Sequence, residues 1–329
     1  MTNATAPERR VTAADIAREV GVSRATVGFV LNSTPGQTIS PATQERVLDA
    51  ARRLGYRPHV AAQTLASGRS HIILLVLPEW PMEYSMRRNI DEASVALDEE
   101  GYSLVTMTPH EGGTARPLWE TLQPDVVMGM AAFEPATYDA IKATGVPAIV
   151  PGEQDDADPS GLPFNMGPRL QVEHLISRGH QRLAYAASAD PRLGGLIDSR
   201  HALASATLQE HGGEPLERFA VTADNATDLV AQWHHSDVTG IIGYNDDIAA
   251  LVAGAALRLG LTIPDQIAVV GHDDSPLSSL FVPSLSTIHV DDEGLGRYLA
   301  QFALSAARRT KPPAWEGNAE ASLVHRESS

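Results

Sequence analysis

Two groups of residues in this sequence have the types and spacing to do chemistry. Arg24-Ala25-Thr26 stands directly after Gly21-Val22-Ser23, so a guanidinium, a methyl and a hydroxyl open whatever helix follows that turn. A guanidinium is a rigid, planar fork of donors suited to paired acceptors. The second group lies far downstream. Tyr244-Asn245-Asp246 and His272-Asp273-Asp274 each follow an apolar run, GIIG and AVVG, and Arg200 stands at the head of a predicted helix. A guanidinium, an amide and a carboxylate converging on a cleft would suit a small hydroxylated molecule. Taken one by one, a surface ion pair for Arg200 and loop-capping roles for Asn245 and Asp273 account for the same residues.

The patterns of common catalysts are missing. No G-x-G-x-x-G follows a strand, and neither a G-x-x-x-x-G-K-[ST] phosphate loop nor a G-x-S-x-G nucleophile elbow occurs. His234-His235 is an adjacent pair without H-E-x-x-H context and reads as solvated. Cysteine is absent, which excludes disulfides and cysteine-ligated metal. The expectation is a protein without metal, cofactor or catalysis. Hydrophobic residues at 43% and charged residues at 20% fit a soluble globular protein. No apolar run approaches a membrane span and the polar N-terminus lacks a signal-peptide core, so a cytoplasmic protein is expected.

The net charge of -16 is unevenly spread. Residues 1–70 carry nine Arg, no Lys and five acids, a net +4, while the remainder is at -20. A basic head on an acidic body suits phosphate contact through the head alone. A charge of +4 over seventy residues is also ordinary, so charge does not decide the matter.

The elements that must position the first group are short helices. Residues 1–10 read as a disordered tail. Thr12 with Asp15 forms a capping box, Ile16, Ala17 and Val20 share a face, and Gly21 ends the helix. Ser23 is placed to cap a second helix, in which Val27, Val30 and Leu31 face the first; Arg24, Ala25, Gly28, Phe29 and Asn32 lie on the other side. Ser40-Pro41 opens a third helix with an apolar stripe of Val47, Leu48, Ala51 and Leu54, closed by Gly55. Two short helices joined by a Gly-containing turn match the helix-turn-helix pattern, whose second helix lies in the DNA major groove. An unrelated small helical bundle fits the same periodicity. Pro58 then breaks the chain, and His59 to Ser67 holds helix formers too few to be stable alone.

The second group requires a different scaffold. ILLVLP, SLVTMT, DVVMGM, PAIVP, RLAYAAS, FAVTAD, GIIGYND and IAVVGHDD read as buried strands. Helical stretches alternate with them: Met86 to Glu100, Ala136 to Thr144, Arg169 to Arg178, Arg200 to Gln209 and Ile248 to Leu259. That alternation predicts doubly wound parallel α/β structure, and the number of strands predicts two sheets. Gly152–Pro163 is a natural first crossing between them.

Several long motifs carry a resemblance. VTAADIAREVGVSRATVGFVLN, ISPATQERVLDAARRLGYRP and AAQTLASGRS resemble the DNA-binding head and hinge of the lactose-repressor/galactose-repressor family of bacterial transcription regulators. FNMGPRLQVEHLISRGHQRLAY and GYNDDIAALVAGAALRLGLTIPDQIAVVGHDDSPLSSLFVPSLSTI resemble the periplasmic-binding-protein-like core of the same family, and the closing LVHRES its last strand. The resemblance implies an all-α helix-turn-helix head over 11–57, a hinge over 58–70 and a core over 71–329. That core would comprise two doubly wound subdomains, about 71–161 with 288–310 and about 162–287 with 311–329. It implies a homodimeric or tetrameric, nucleoid-associated repressor holding a palindromic operator on double-stranded DNA under control of a small effector, a sugar or related metabolite.

Residue by residue, the resemblance places Arg24 and Ala25 at the base-reading positions and Thr26 on phosphate, with Arg24 able to read guanine O6/N7 bidentately. Thr12, Ser23, Asn32 and His59 join the DNA-binding set, His59 standing where the family usually has Asn. Leu65 falls at the leucine that wedges a base step in the minor groove; a plain interdomain linker is the alternative. Arg200, Asn245 and Asp273 align with effector contacts, and Trp80 is available to stack on a ring. Gly28-Phe29 departs from the family's Ser-Arg: Gly28 weakens the helix by up to about 1 kcal/mol, and Phe29 has no hydrogen bond to offer a base. Contact with DNA, contact with the connector and an unusual core position all remain open for Phe29. The loop Ser33–Ile39 is longer than the family's by about two residues, which leaves the operator sequence open.

Overall fold

The computed structural model describes residues 11–31, 36–56, 69–110, 112–152, 166–313 and 321–329. The expected N-terminal tail, the crossing at Gly152–Pro163 apart from Gly152, and Asn32, His59 and Leu65 lie outside the described residues. The chain divides into two compact units, Met1–Ser70 and His71–Ser329.

In the first unit, local signals account for three helices, α1 (Ala13–Val20), α2 (Arg24–Leu31) and α3 (Pro41–Arg53). The Thr12 amide donates to Asp15 Oδ2 at 2.9 Å, and Gly21 adopts φ 75° to end α1. The Ser23 hydroxyl accepts from the Thr26 amide at 3.0 Å, and that of Ser40 from the Thr43 amide at 3.3 Å. The helices close on Ile16, Ala17, Val20, Val27, Val47, Ala50 and Ala51. The stripe expected on α3 needs one correction: Leu48 is 44% exposed and Ala50 takes its place. Positions 47, 50, 51 and 54 share a helical face, whereas 48 is rotated about 100° from 47.

The second unit holds two four-stranded parallel sheets. The first has the order β2-β1-β3-β4, from β1 (Ile72–Val76), β2 (Ser103–Met107), β3 (Val126–Gly129) and β4 (Ala148–Val150). Between these strands run α4 (Tyr84–Glu99), α5 (Leu118–Leu122) and α6 (Pro135–Ala143). Both faces of this sheet are covered, as strand parity requires. Ile73 and Leu75 pack with Ala93 and Leu97 of α4, while Leu74 and Val76 pack with Trp119 and Ile141.

The second sheet has the order β6-β5-β7-β8, from β5 (Leu183–Ser188), β6 (Glu217–Val221), β7 (Gly240–Gly243) and β8 (Ala268–Val270). Its helices are α7 (Gly167–Ser177), α8 (Gly194–Glu210), α9 (Ala226–His235), α10 (Asp246–Arg258) and α11 (Pro276–Leu280). Helix α8 begins well before the expected start, so Arg200 stands in its second turn and not at its head. Gly194-Gly195 and the residues after it carry no apolar periodicity of their own, and packing of Ile197 into the second core fixes this early turn. Neither α5, α9 nor α11 was marked by the sequence pattern.

Two late elements return to earlier layers. β9 (Thr287–His289) pairs antiparallel with β10 (Ser322–Val324). Helix α12 (Asp292–Arg308) places Ala300, Ala303 and Leu304 in the core of the first sheet. It runs alongside α4 in the same direction, with Arg88–Glu293 at 3.2 Å near one end and Arg308–Glu100 at 2.6 Å near the other. Gly296 permits the close approach: a Cβ there would stand 2.6 Å from the Asn89 carbonyl oxygen.

Candidate functional site

The head presents Arg24 and Ala25 as exposed residues in the first turn of α2. Thr26 is half-buried, and its hydroxyl lies 2.8 Å from that of Ser23. Thr12 is exposed at the start of α1, where its hydroxyl donates to Asp15 at 2.7 Å. Phe29 is half-buried and takes no part in the apolar cluster that closes the head. The first turn of α2 therefore exposes a guanidinium and a methyl, and Phe29 stands outside the core of the head.

In the second unit the sheets bring distant residues together. In both, the chain order reverses beside the first strand, between β1 and β3 and between β5 and β7. Ligands of open α/β sheets bind beyond the carboxyl ends of strands at such reversals. The segments after β1, β7 and β8 supply the polar residues found there.

Asn245 caps α10, its Oδ1 accepting from the Ile248 amide at 3.0 Å. This leaves its Nδ2 free to face outward, and Nδ2 donates to Glu83 Oε1 at 3.0 Å. The Tyr244 hydroxyl donates to Glu83 Oε2 at 3.1 Å. Glu83 stands just ahead of α4, so a carboxylate from the first sheet's layer spans to the loop after β7 of the second sheet. Burial, reinforced by Asp273, raises the Glu83 carboxyl to about 6.

Arg200 donates to the Tyr244 carbonyl at 2.8 Å, lies 4.8 Å from the centre of the Tyr244 ring and pairs with Asp273 Oδ1 at 3.6 Å. Burial opposes the charge of Arg200, but Asp273, Tyr244, Tyr185 and Glu83 together outweigh it. His272 Nδ1 lies 2.7 Å from Asp273 Oδ1. Burial, with Arg200 close by, depresses the His272 pKa, so the neutral ring donates its Nδ1–H to Asp273. Burial disfavours the Asp273 carboxylate; the His272 hydrogen bond and Arg200 overcome it and hold the group below the usual range. Asp273 and Asp274 adopt φ 95° and 44°, a costly backbone for non-glycine residues. The Asp273 amide, donating to the Ile288 carbonyl at 2.9 Å, and Arg326, reaching Asp274 at 2.6 Å, hold them there.

A buried glutamine fixes the loops that carry these groups. Gln171 Nε2 lies 2.9, 3.1 and 2.8 Å from the carbonyl oxygens of Gly243, Val270 and Gly271. Asp246 braces the same region, accepting from Thr287 Oγ1 at 2.5 Å and the Ser275 amide at 2.6 Å; burial raises its carboxyl to about 7.

Of the expected effector residues, Arg200 and Asp273 form an ion pair and Asn245 stands within the same network through Tyr244 and Glu83. Trp80 is half-buried and packs against the core cluster of the second sheet. Glu83, Gln171 and Asp292 were missed. Glu83 had a positional signal, a carboxylate between the first strand and its helix; Gln171 and Asp292 had none. The histidine pair His234-His235 is exposed at the end of α9, and no metal-binding group of His, Asp or Glu occurs among the described residues. No described helix is long and apolar enough to cross a membrane.

A helix-turn-helix head followed by two parallel sheets with a polar cluster at their reversal points defines a DNA-binding regulator with a periplasmic-binding-protein-like core, not an enzyme. Residues 12–59 match the family of bacterial regulatory proteins, lacI family, and residues 172–329 the periplasmic binding protein-like domain. The chain is a transcription regulator similar in both its parts to the lacI family. It is 29% identical to the HTH-type transcriptional regulator GntR of Pseudomonas aeruginosa, covering 97% of this chain and 96% of that one. It is 28% identical to the lactose operon repressor of Escherichia coli, covering 87% and 82%. Its fold matches a lac repressor dimer bound to operator and an anti-inducer with a TM-score of 0.74 at 24% identity, over 97% of this chain and 99% of that one.

Proposed function

We propose that this regulator is a homodimeric repressor that holds a near-palindromic operator through Arg24, Ala25 and Thr26 and yields it, or grips it, when a small hydroxylated effector enters the cleft at Arg200, Asn245 and Asp273. The observation that carries the effector assignment is the pair of half-buried Arg200 and buried Asp273 beside Asn245, at the reversal points of both sheets. Structural charges are seldom buried so close to a strained backbone without a ligand to meet. Relatives support the class: the lactose operon repressor is named for the operon it represses, and a solved structure holds the regulator CelR with cellobiose. The hinge over 58–70 and the subdomain limits at 71–161 with 288–310 and at 162–287 with 311–329 belong to this proposal, as does residence on the nucleoid. Self-association is supported by the apolar Leu257, Leu259, Leu280 and Val282, which are 42%, 40%, 77% and 80% exposed.

Fluorescence anisotropy on labelled DNA from upstream of the gene tests both halves. Arg24→Ala is expected to weaken operator binding by about 1–3 kcal/mol while affecting random DNA little; equal loss on both would reduce Arg24 to a phosphate contact. Arg200→Ala and Asp273→Ala should still bind operator and lose the response to effector; a normal response in both refutes the cleft assignment.

A further inference from the structure

Resting on the proposed effector cleft, the acceptors and donors that line it define a rule for what may enter. Three of its donor groups are already committed. Tyr244 Oη and Asn245 Nδ2 donate to Glu83, and Arg200 is engaged by the Tyr244 carbonyl and Asp273. Its acceptors are in surplus. Besides Glu83 and Asp273 there is Asp292, on which Asp273 acts, which is 7% exposed and whose Oδ1 has no hydrogen-bond partner among the described residues. The parallel run of α4 and α12 sets Ser85, two residues after Glu83, against Asp292, and Asp273 acts on Glu83 and Asp292 alike. Glu83 and Asp273 thus share the Arg200 cation, while the cation acting on Asp292 is Arg88.

We propose that Glu83 is the specificity-determining residue of the cleft: it selects effectors that bring hydrogen-bond donors, polyols and above all ammonium-bearing polyols, and rejects those bearing carboxylate or phosphate. An entering hydroxyl or ammonium group replaces the Asn245 and Tyr244 donors on Glu83 or adds to them, and releases those donors to the ligand's own oxygens. An anionic ligand meets Glu83 and Asp273 with a single guanidinium that is already paired. Charge repulsion in a buried site is worth far more than at the surface.

The test uses the full chain labelled with 15N-asparagine and reads the Asn245 side-chain amide by NMR during titration with three minimal probes: tris(hydroxymethyl)aminomethane at a pH where it is protonated, glycerol, and inorganic phosphate. Asn245→Gln assigns the resonance. In the wild type the amino triol should shift the Asn245 amide at lower concentration than glycerol, and phosphate should leave it unmoved. Glu83→Gln, which keeps size and shape, should weaken the amino triol at least fivefold and admit phosphate. Phosphate acting on the wild type as strongly as the amino triol overturns the proposal, as does Glu83→Gln leaving the order of the probes unchanged. If all three probes leave Asn245 unmoved in both proteins, the cleft reading falls and the proposal with it. If Glu83→Gln fails to fold, the order of the three probes on the wild type alone decides.

Discussion

The head and the core of this protein solve the same task, holding polar side chains ready for a partner, by opposite means. In the head, Arg24 and Ala25 stand exposed on a helix that is capped by its own neighbour, Ser23. In the core, Arg200, Asn245, Asp273 and Glu83 come from four segments, and each is held by a residue dozens of positions away. The head site is exposed and its partner must supply the counter-charge. The core site is buried and supplies most of its own. A locally built site tolerates changes elsewhere in the chain; a site assembled from loops depends on whatever ties the loops together.

That contrast breaks most visibly at Gln171. Gln171→Leu leaves the carbonyls of Gly243, Val270 and Gly271 without their shared donor, and should destabilise the core by about 3 kcal/mol. Calorimetry should show the loss in the core transition and none in that of the head. An equal loss in both would mean the two units unfold as one.

A smaller effect follows from the cleft carboxyls. Burial, then Asp273, raises Asp292 to about 7 from an ordinary 3.8. A carboxyl raised on folding stabilises the fold fully below its unfolded value and loses that contribution as pH climbs through the folded one. Asp292→Asn removes the term, so the wild type's advantage over the variant should shrink by on the order of 2 kcal/mol between pH 4 and pH 8. Denaturant titrations at the two pH values check it, and a difference independent of pH would place the Asp292 carboxyl in water. Buried His272 and half-buried His174 and His180, all depressed chiefly by desolvation, act in the opposite sense as pH falls below 6.5, and they cancel in the comparison of the two proteins.

The smallest effect lies in the head. A Cβ on Gly28 would meet nothing within 4 Å, so Gly28→Ala should stabilise α2 by up to about 1 kcal/mol through backbone entropy. Thermal melting of the head measures it. If the same change also weakens operator binding, the methyl group intrudes on the DNA and Gly28 belongs to the reading face.

The head was the more legible region. Thr12, Gly21, Ser23, Ser40-Pro41 and Gly55 are punctuation whose meaning depends only on the next three or four residues, and every one marks the helix end it was assigned. Leu48 shows the limit even there: hydrophobicity placed it inside, but helical phase puts Ala50 there instead. In the core, the apolar runs announced eight parallel strands, because strands buried on both faces need apolar side chains on both. Helix α9 was not announced; it is short, and Trp233 and Val230 gain their burial from the second sheet's core.

Sequence by itself determined the two units and their classes, since these follow from short-range periodicity, capping and motif. It named Arg200, Asn245 and Asp273 through alignment of motifs. Tertiary structure alone decided that Arg200 sits in the second turn of its helix, that Glu83 spans to Tyr244 and Asn245, and that Asp292 stands near Asp273 with one oxygen unpaired. Those relations join residues that no local interaction links, so they exist only once the strands and helices have packed.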